Sequence, residues 1–220
     1  MQRKKLPLIF LLLLALITIK PIKTYAFTDT DKHWSAEYVD FLAEKKLLTG
    51  YKDGSFKPDD NITRAEFYKI INSLVGYNKS YAVSFSDVKK SDWYYDEVAR
   101  GIKAGYIIPT TGNLHPNRPI TRQEVVKILG QVYKLDELPD KAKDFLDKGE
   151  IKEDTLGYVG ALVDLKIIEG YQDGNFYPKK EITRGEVCKI LYLSMDKLKE
   201  TKATYLVDSE IKFGPRGLYE

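Results

Sequence analysis

Cysteine is almost absent from the 220 residues, and Cys188 has no partner in the chain, which excludes an intrachain disulfide scaffold. Histidine is nearly as scarce. His33 and His115 stand alone and match no metal-ligand spacing. No sign of charge dominates, at a formal +3, and five cations (Arg3, Lys4, Lys5, Lys20, Lys23) fall within residues 1–26, where there is no acid. The remainder is therefore faintly acidic, at −2, and has no electrostatic motive to bind nucleic acid. Apolar runs long enough to span a bilayer are missing downstream of residue 26. What is present is a hydrophobic content of 43% with 12% aromatics, enough for a packed core and too much for wholesale disorder.

Residues 1–26 read as an export signal. Gln2-Arg3-Lys4-Lys5 is a cationic head, Leu6 to Ile19 is apolar except at Pro7 and Thr18, and Thr24-Tyr25-Ala26 puts small side chains at −3 and −1 of a cut before Phe27. An uncleaved membrane anchor is the alternative. A lipid-modified start lacks the cysteine it needs near that exit. The expectation is a chain that works outside the cytoplasm, with Cys188 buried as a small hydrophobe.

The rest is one unit written three times. Ile62-Thr63-Arg64-Ala65-Glu66 returns as Ile120-Thr121-Arg122-Gln123-Glu124 and as Ile182-Thr183-Arg184-Gly185-Glu186. Phe27-Thr28-Asp29 returns as Phe85-Ser86-Asp87 and Phe145-Leu146-Asp147. The stretch from Gly50 to Pro58 returns nearly intact from Gly170 to Pro178, whereas the middle copy keeps only Gly112 to Pro116 of it. The expected divisions are residues 27–80, 81–140 and 141–200, with a tail at 201–220 in which Tyr205-Leu206-Val207 suggests one short strand.

Within a copy the pattern is helix, turn-rich loop, helix. Trp34, Tyr38, Phe41 and Leu42 make one apolar stripe, with Trp34 a candidate core anchor. Gly50 and Asp53-Gly54 are the expected stop of that helix. A second helix opens at Thr63 and carries Phe67, Ile70, Ile71, Leu74 and Val75 on one face, repeated by Val125, Ile128, Leu129, Val132 and Tyr133 and by Val187, Ile190, Leu191 and Met195. One such pair hides too little surface to fold alone, so the copies must pack on each other. The expected fold class is mainly α, three tandem helix–loop–helix units in a compact closed cluster.

Thr63 with Glu66 is a capping box, and the two later copies repeat it. Threonine and glutamate need no further role. Arginine at the first helical position does, because the helix dipole mildly disfavours a cation there. Arg64, Arg122 and Arg184 occupy it in every copy. Two explanations stand at this point. One is an internal salt bridge to a carboxylate, such as that of Asp29, Asp87 or Asp147. The other is a guanidinium fork beside open helix N–H groups, suited to a carboxylate ligand. Asp29-x-Asp31 leaves a weak calcium possibility.

Phe-x-Asp, the Trp-led helix, Gly-Tyr-x-Asp-Gly-x-Phe-x-Pro and Ile-Thr-Arg-Ala-Glu together resemble the S-layer homology (SLH) repeat, over about residues 27–195 in three copies. The resemblance implies a pseudo-three-fold helical spindle whose inter-repeat grooves bind secondary cell-wall polysaccharide of Gram-positive bacteria, often through a pyruvylated amino sugar. It implies that Arg64, Arg122 and Arg184 hold the pyruvate carboxylate, that Asp29, Asp87 and Asp147 orient the arginine or accept sugar hydroxyls, and that Trp34 and Trp93 line the wall, beside Gly50 and Gly170. No cofactor or metal is implied, and no membrane contact once the signal is removed. A secreted protein of the cell wall or surface is expected, with an S-layer or surface protein as a further partner.

Two copies depart from the pattern. The middle loop has Pro109 and Thr110-Thr111 in place of the Gly-Tyr and Asp, predicting a groove wall shorter by about two residues. In the third copy Asp154 replaces tryptophan and is expected to repel an acidic sugar in that copy's groove. At least one groove should bind weakly. A self-assembling structural protein without glycan binding is the alternative function. A wall-glycan hydrolase is a further one, disfavoured because Glu66, Glu124 and Glu186 are taken by caps and no nucleophile–base pair is visible.

Overall fold

The computed structural model describes residues 26–200; the expected signal segment up to residue 25 and the tail at 201–220 lie outside the described residues. Among the described residues six helices make up the framework: α1 (Ala36–Glu44), α2 (Arg64–Val75), α3 (Tyr95–Ala104), α4 (Arg122–Val132), α5 (Glu153–Asp164) and α6 (Arg184–Glu200). Two short 3₁₀ turns, Pro139–Ala142 and Lys148–Glu150, lead into α5. The mainly α tandem arrangement agrees with the sequence pattern.

The first helix of each copy packs on the second helix of the copy before it, cyclically. α3 lies on α2, α5 on α4, and α1 closes the circle against α6. The buried stripe is the one the 3.6-residue period marks: Phe67, Ile71, Leu74, Val125, Leu129, Val187 and Leu191 are all essentially inaccessible. A central ring of backbone bonds ties the second helices together just before their first turns. Ile120 N–H donates to Ile62 O at 3.0 Å, Ile182 N–H to Ile120 O at 3.1 Å, and Ile62 N–H to Ile182 O at 3.1 Å. The ring closes on itself, so the units form a spindle and not an open solenoid.

Two sequence expectations are corrected here. The first helix does not run to Gly50. It ends at Glu44, and Lys46, at φ 58°, reverses the chain so that Leu47 N–H can bond Leu42 O at 3.0 Å and bury Leu47 and Leu48. Lys166 and Gly105 do the same in the other copies. A further left-handed residue closes each loop, at Lys57, His115 and Tyr177. The interval from Gly105 to His115 is one residue shorter than from Lys46 to Lys57 or Lys166 to Tyr177. The middle loop has thus lost one residue, not two.

Candidate functional site

The Thr-Arg-x-Glu segments start α2, α4 and α6. Glu66 N–H donates to Thr63 Oγ1 at 3.2 Å and Thr63 N–H to Glu66 Oε2 at 2.9 Å, and the Thr183–Glu186 pair has the same distances. Thr121 N–H donates to Glu124 Oε2 at 2.8 Å. The helix N-termini, however, are not open to anions. Arg64 and Ala65 N–H donate to Arg118 O and Pro116 O, Arg122 and Gln123 N–H to Lys180 O and Pro178 O, and Arg184 and Gly185 N–H to Asp60 O and Pro58 O. Each first turn is already satisfied by carbonyls of a neighbouring copy. The reading of free N–H groups there is corrected, and any anion must be held by side chains.

The aspartates are not the arginines' partners. Asp29 accepts Phe56 and Lys57 N–H at 2.8 and 2.7 Å, Asp87 accepts Leu114 and His115 N–H at 2.8 Å each, and Asp147 accepts Phe176 and Tyr177 N–H at 2.8 and 2.7 Å. They clamp the left-handed residue that ends each loop. The calcium possibility at Asp29 and Asp31 therefore meets a carboxylate already engaged by two amides. Among the described residues no cluster of three His, Cys, Asp or Glu is placed to hold a metal, and no helix is long and apolar enough to cross a membrane.

Arg64 and Arg184 each reach across to the next copy, where the capping glutamate offers its second oxygen. Arg64 Nε and Nη2 both bond Glu124 Oε1, at 3.1 and 2.6 Å. Arg184 is buried, stacks over Phe56 at 4.5 Å, and donates to Phe56 O (2.8 Å), Glu66 Oε1 (3.1 Å) and Thr49 O (3.4 Å). Arg122 breaks the pattern. Only 7% exposed, it stacks over Phe176 and Tyr171 at 5.0 and 5.1 Å and donates from Nη2 to Glu169 O at 2.6 Å, while its buried Nε has no hydrogen-bond partner. Burial pulls its guanidinium down from the ordinary arginine range, with Tyr171 and Glu186 opposing. Glu186 Oε1, the atom matching those the other arginines use, is taken by Lys180 Nζ at 2.8 Å and Tyr171 Oη at 2.9 Å. Burial raises the Glu186 carboxyl, but Lys180, the Thr183 N–H and Tyr171 outweigh it and leave it below the usual range.

Arg122 lines a cleft of about 230 Å³ together with Trp34, Glu169, Gly170, Tyr171 and Lys189. All three copies build it: Trp34 from the first, Arg122 from the second, the loop and α6 from the third. A Cβ at Gly170 would approach the Phe145 ring to 2.6 Å, and one at Gly50 would collide with Phe27, so both glycines have a packing reason. Trp34 is not a core anchor. It precedes α1, stands 53% exposed, and faces this cleft while Val39 and Leu42 fill the core. Trp93, 57% exposed, lies over α2 with Lys69 Nζ 6.0 Å from its ring. Asp154 takes the equivalent place over α4, paired to Lys127. The missing tryptophan thus affects the groove of the middle copy's second helix, not the third copy's own. That middle groove, also about 230 Å³, is lined by Tyr68, Ile107, Ile108, Glu124, Lys127 and Lys152.

Lys69, Lys127 and Lys189 were not among the sequence candidates. Their signal was present, since a lysine follows each capping glutamate by three residues. Lys180 and Glu169 carry no such periodic mark.

A family model described as the S-layer homology domain matches residues 26–67, 84–126 and 144–188. The chain belongs to the S-layer homology domain family. It is 32% identical over 191 residues, 83% of this chain, to exoglucanase XynX of Acetivibrio thermocellus. It is 29% identical over 207 residues, 87% of this chain, to the S-layer protein sap of Bacillus anthracis. An S-layer protein of Bacillus thuringiensis subsp. finitimus is 29% identical over 197 residues, 82% of this chain. The matches cover 18%, 24% and 23% of those relatives, so this SLH chain spans under a quarter of their length. SLH membership places it among secreted, cell-surface proteins of Gram-positive-type bacteria, and its SLH units are wall-binding modules.

Proposed function

We propose that this SLH chain anchors to the cell wall by binding an acidic, pyruvate-bearing secondary cell-wall polysaccharide, chiefly in the cleft of Arg122. Cell-wall anchoring in general follows from the family. The finer reading rests on one observation: Arg122 is a buried cation with no carboxylate partner, and its side chain lines a cleft that also presents Lys189 and an exposed tryptophan. A guanidinium fork and an ammonium suit a carboxylate, and the indole suits the apolar face of a sugar ring. Arg64 and Arg184 already hold a glutamate each, so their grooves are the weaker ones. The hydrolase alternative finds Glu66, Glu124 and Glu186 engaged in caps and ion pairs.

The test is sedimentation with purified wall sacculi, with and without their polysaccharide. Binding that depends on the polysaccharide, is lost in Arg122→Ala, and survives in folded Arg64→Ala supports the reading. Equal binding to stripped sacculi, or equal loss in both variants, overturns it. The S-layer relatives favour a second reading, lattice assembly, for which assembly without wall material is the deciding observation.

A further inference from the structure

We propose that Lys180 is a positioning residue that keeps the Arg122 cleft open, by holding Glu186 so that this carboxylate cannot close onto Arg122. The inference rests on the wall-polysaccharide reading and adds to it the device that selects one groove of three.

The three copies are a natural comparison series. In two of them the capping glutamate's Oε1 carries the arginine that arrives from the preceding copy: Glu124 carries Arg64 and Glu66 carries Arg184. In the third, Glu186 Oε1 faces Lys180 Nζ and Tyr171 Oη, and Lys180 Nζ also donates to Tyr171 Oη at 2.8 Å, closing a triangle of three side chains. Arg122, deprived of that carboxylate, keeps one backbone carbonyl and an unsatisfied Nε. A buried donor without a partner is costly unless something arrives to fill it. A carboxylate entering the cleft meets a guanidinium that no side-chain carboxylate already holds.

Lys180 sits four residues before Arg184, and the same place holds Asp60 in the first copy and Arg118 in the second. Asp60 is an anion and cannot restrain a glutamate. Arg118 is a cation, but the second loop has Thr110 where Tyr171 stands, counting from the left-handed residues Gly105 and Lys166, so the triangle cannot form there. Lysine and tyrosine coincide only in the third copy, and only there is the incoming arginine unpaired by glutamate among the described residues.

The experiment uses the full chain and two readouts. The first is calorimetric titration with a methyl glycoside of a pyruvylated amino sugar, its methyl ester serving as the uncharged control. Lys180→Ala should weaken binding roughly tenfold or more, because Glu186 then pairs with Arg122, and Lys180→Arg should stay within about threefold of the wild type. Lys180→Ala combined with Glu186→Gln should recover most of the loss, since an amide has no charge with which to capture Arg122. The second readout needs no ligand. The Arg122 Nε–H resonance in a ¹⁵N spectrum should shift in Lys180→Ala as the ion pair forms, and should return in the double variant. Failure of the sugar to bind any form, with the resonance behaving as stated, sinks the ligand reading and keeps Lys180's role. An unmoved resonance, or a double variant as weak as Lys180→Ala, overturns the proposal.

Discussion

Arg184 Nη1 donates to Glu66 Oε1 at 3.1 Å, joining the last second helix to the first across 118 residues of chain. This contact seals the circle. Its guanidinium also holds Phe56 O and Thr49 O, and the side chain is 7% exposed. Arg184→Ala would leave a carboxylate and two carbonyls short of a donor, and should lower unfolding stability by about 3 kcal/mol. Arg64→Ala, at a more exposed pair with one carboxylate oxygen, should cost about 1 kcal/mol. Urea midpoints decide it: equal shifts in the two variants would show that Arg184's buried contacts add nothing.

Acid should weaken the middle loop through Asp87. Burial raises its carboxyl, but the Leu114 and His115 amides draw it below the ordinary aspartate value, with the nearby His115 ring in support. A depressed folded pKa means a contribution that is complete above the unfolded value, about 3.9, and lost as pH falls through the folded one. Asp87→Asn removes it. The stability gap between wild type and variant should therefore be full near pH 5 and shrink from there towards pH 2. A gap that widens below about pH 5 would contradict the two-amide clamp.

Cys188 should be inert while the protein is folded. It is buried on α6 and burial pushes its thiol up to about 12, partly offset by Arg184, so almost no thiolate exists at neutral pH. Maleimide labelling should proceed at the rate of unfolding and reach one label per chain in denaturant. Labelling within the mixing time under native conditions would place the thiol outside the core.

Helices, caps and the three-fold repeat were legible because each is written in local spacing: the 3.6-residue apolar period, threonine three residues before glutamate, and the recurrence of both. The arginines' partners were not. Spacing alone makes Glu66, Glu124 and Glu186 caps and no more, because a capping box uses one carboxylate oxygen and nothing local shows where the other points. That second oxygen meets Arg64, 60 positions away, at Glu124 and Arg184, 118 away, at Glu66, whereas at Glu186 it meets Lys180 and Tyr171, 6 and 15 positions away. The same limit hid the clamps made by Asp29, Asp87 and Asp147, whose amide partners lie 27–30 residues on. Trp34 was misplaced for a different reason. Its spacing to Tyr38 and Leu42 assumes a helix already running at residue 34, whereas α1 begins at Ala36.

Restoring the missing tryptophan should not restore the middle groove. Asp154→Trp would put an indole over α4 where Trp34 stands over α6, and would release Lys127 from its exposed ion pair. Such a pair is worth at most about 1 kcal/mol, so folding should be little changed. Yet Arg64 remains bonded through two nitrogens to Glu124, and no lysine–tyrosine pair is present to draw that glutamate away. If the state of the arginine governs binding, the variant should show no new site for a pyruvylated sugar in titration. If the aromatic wall governs it, a second site should appear with an affinity near that of the Arg122 cleft. Combining Asp154→Trp with Glu124→Gln separates the two causes, because it supplies the wall and frees Arg64 together. Gain in the double variant alone would show that the paired arginine, and not the absent indole, silences this groove.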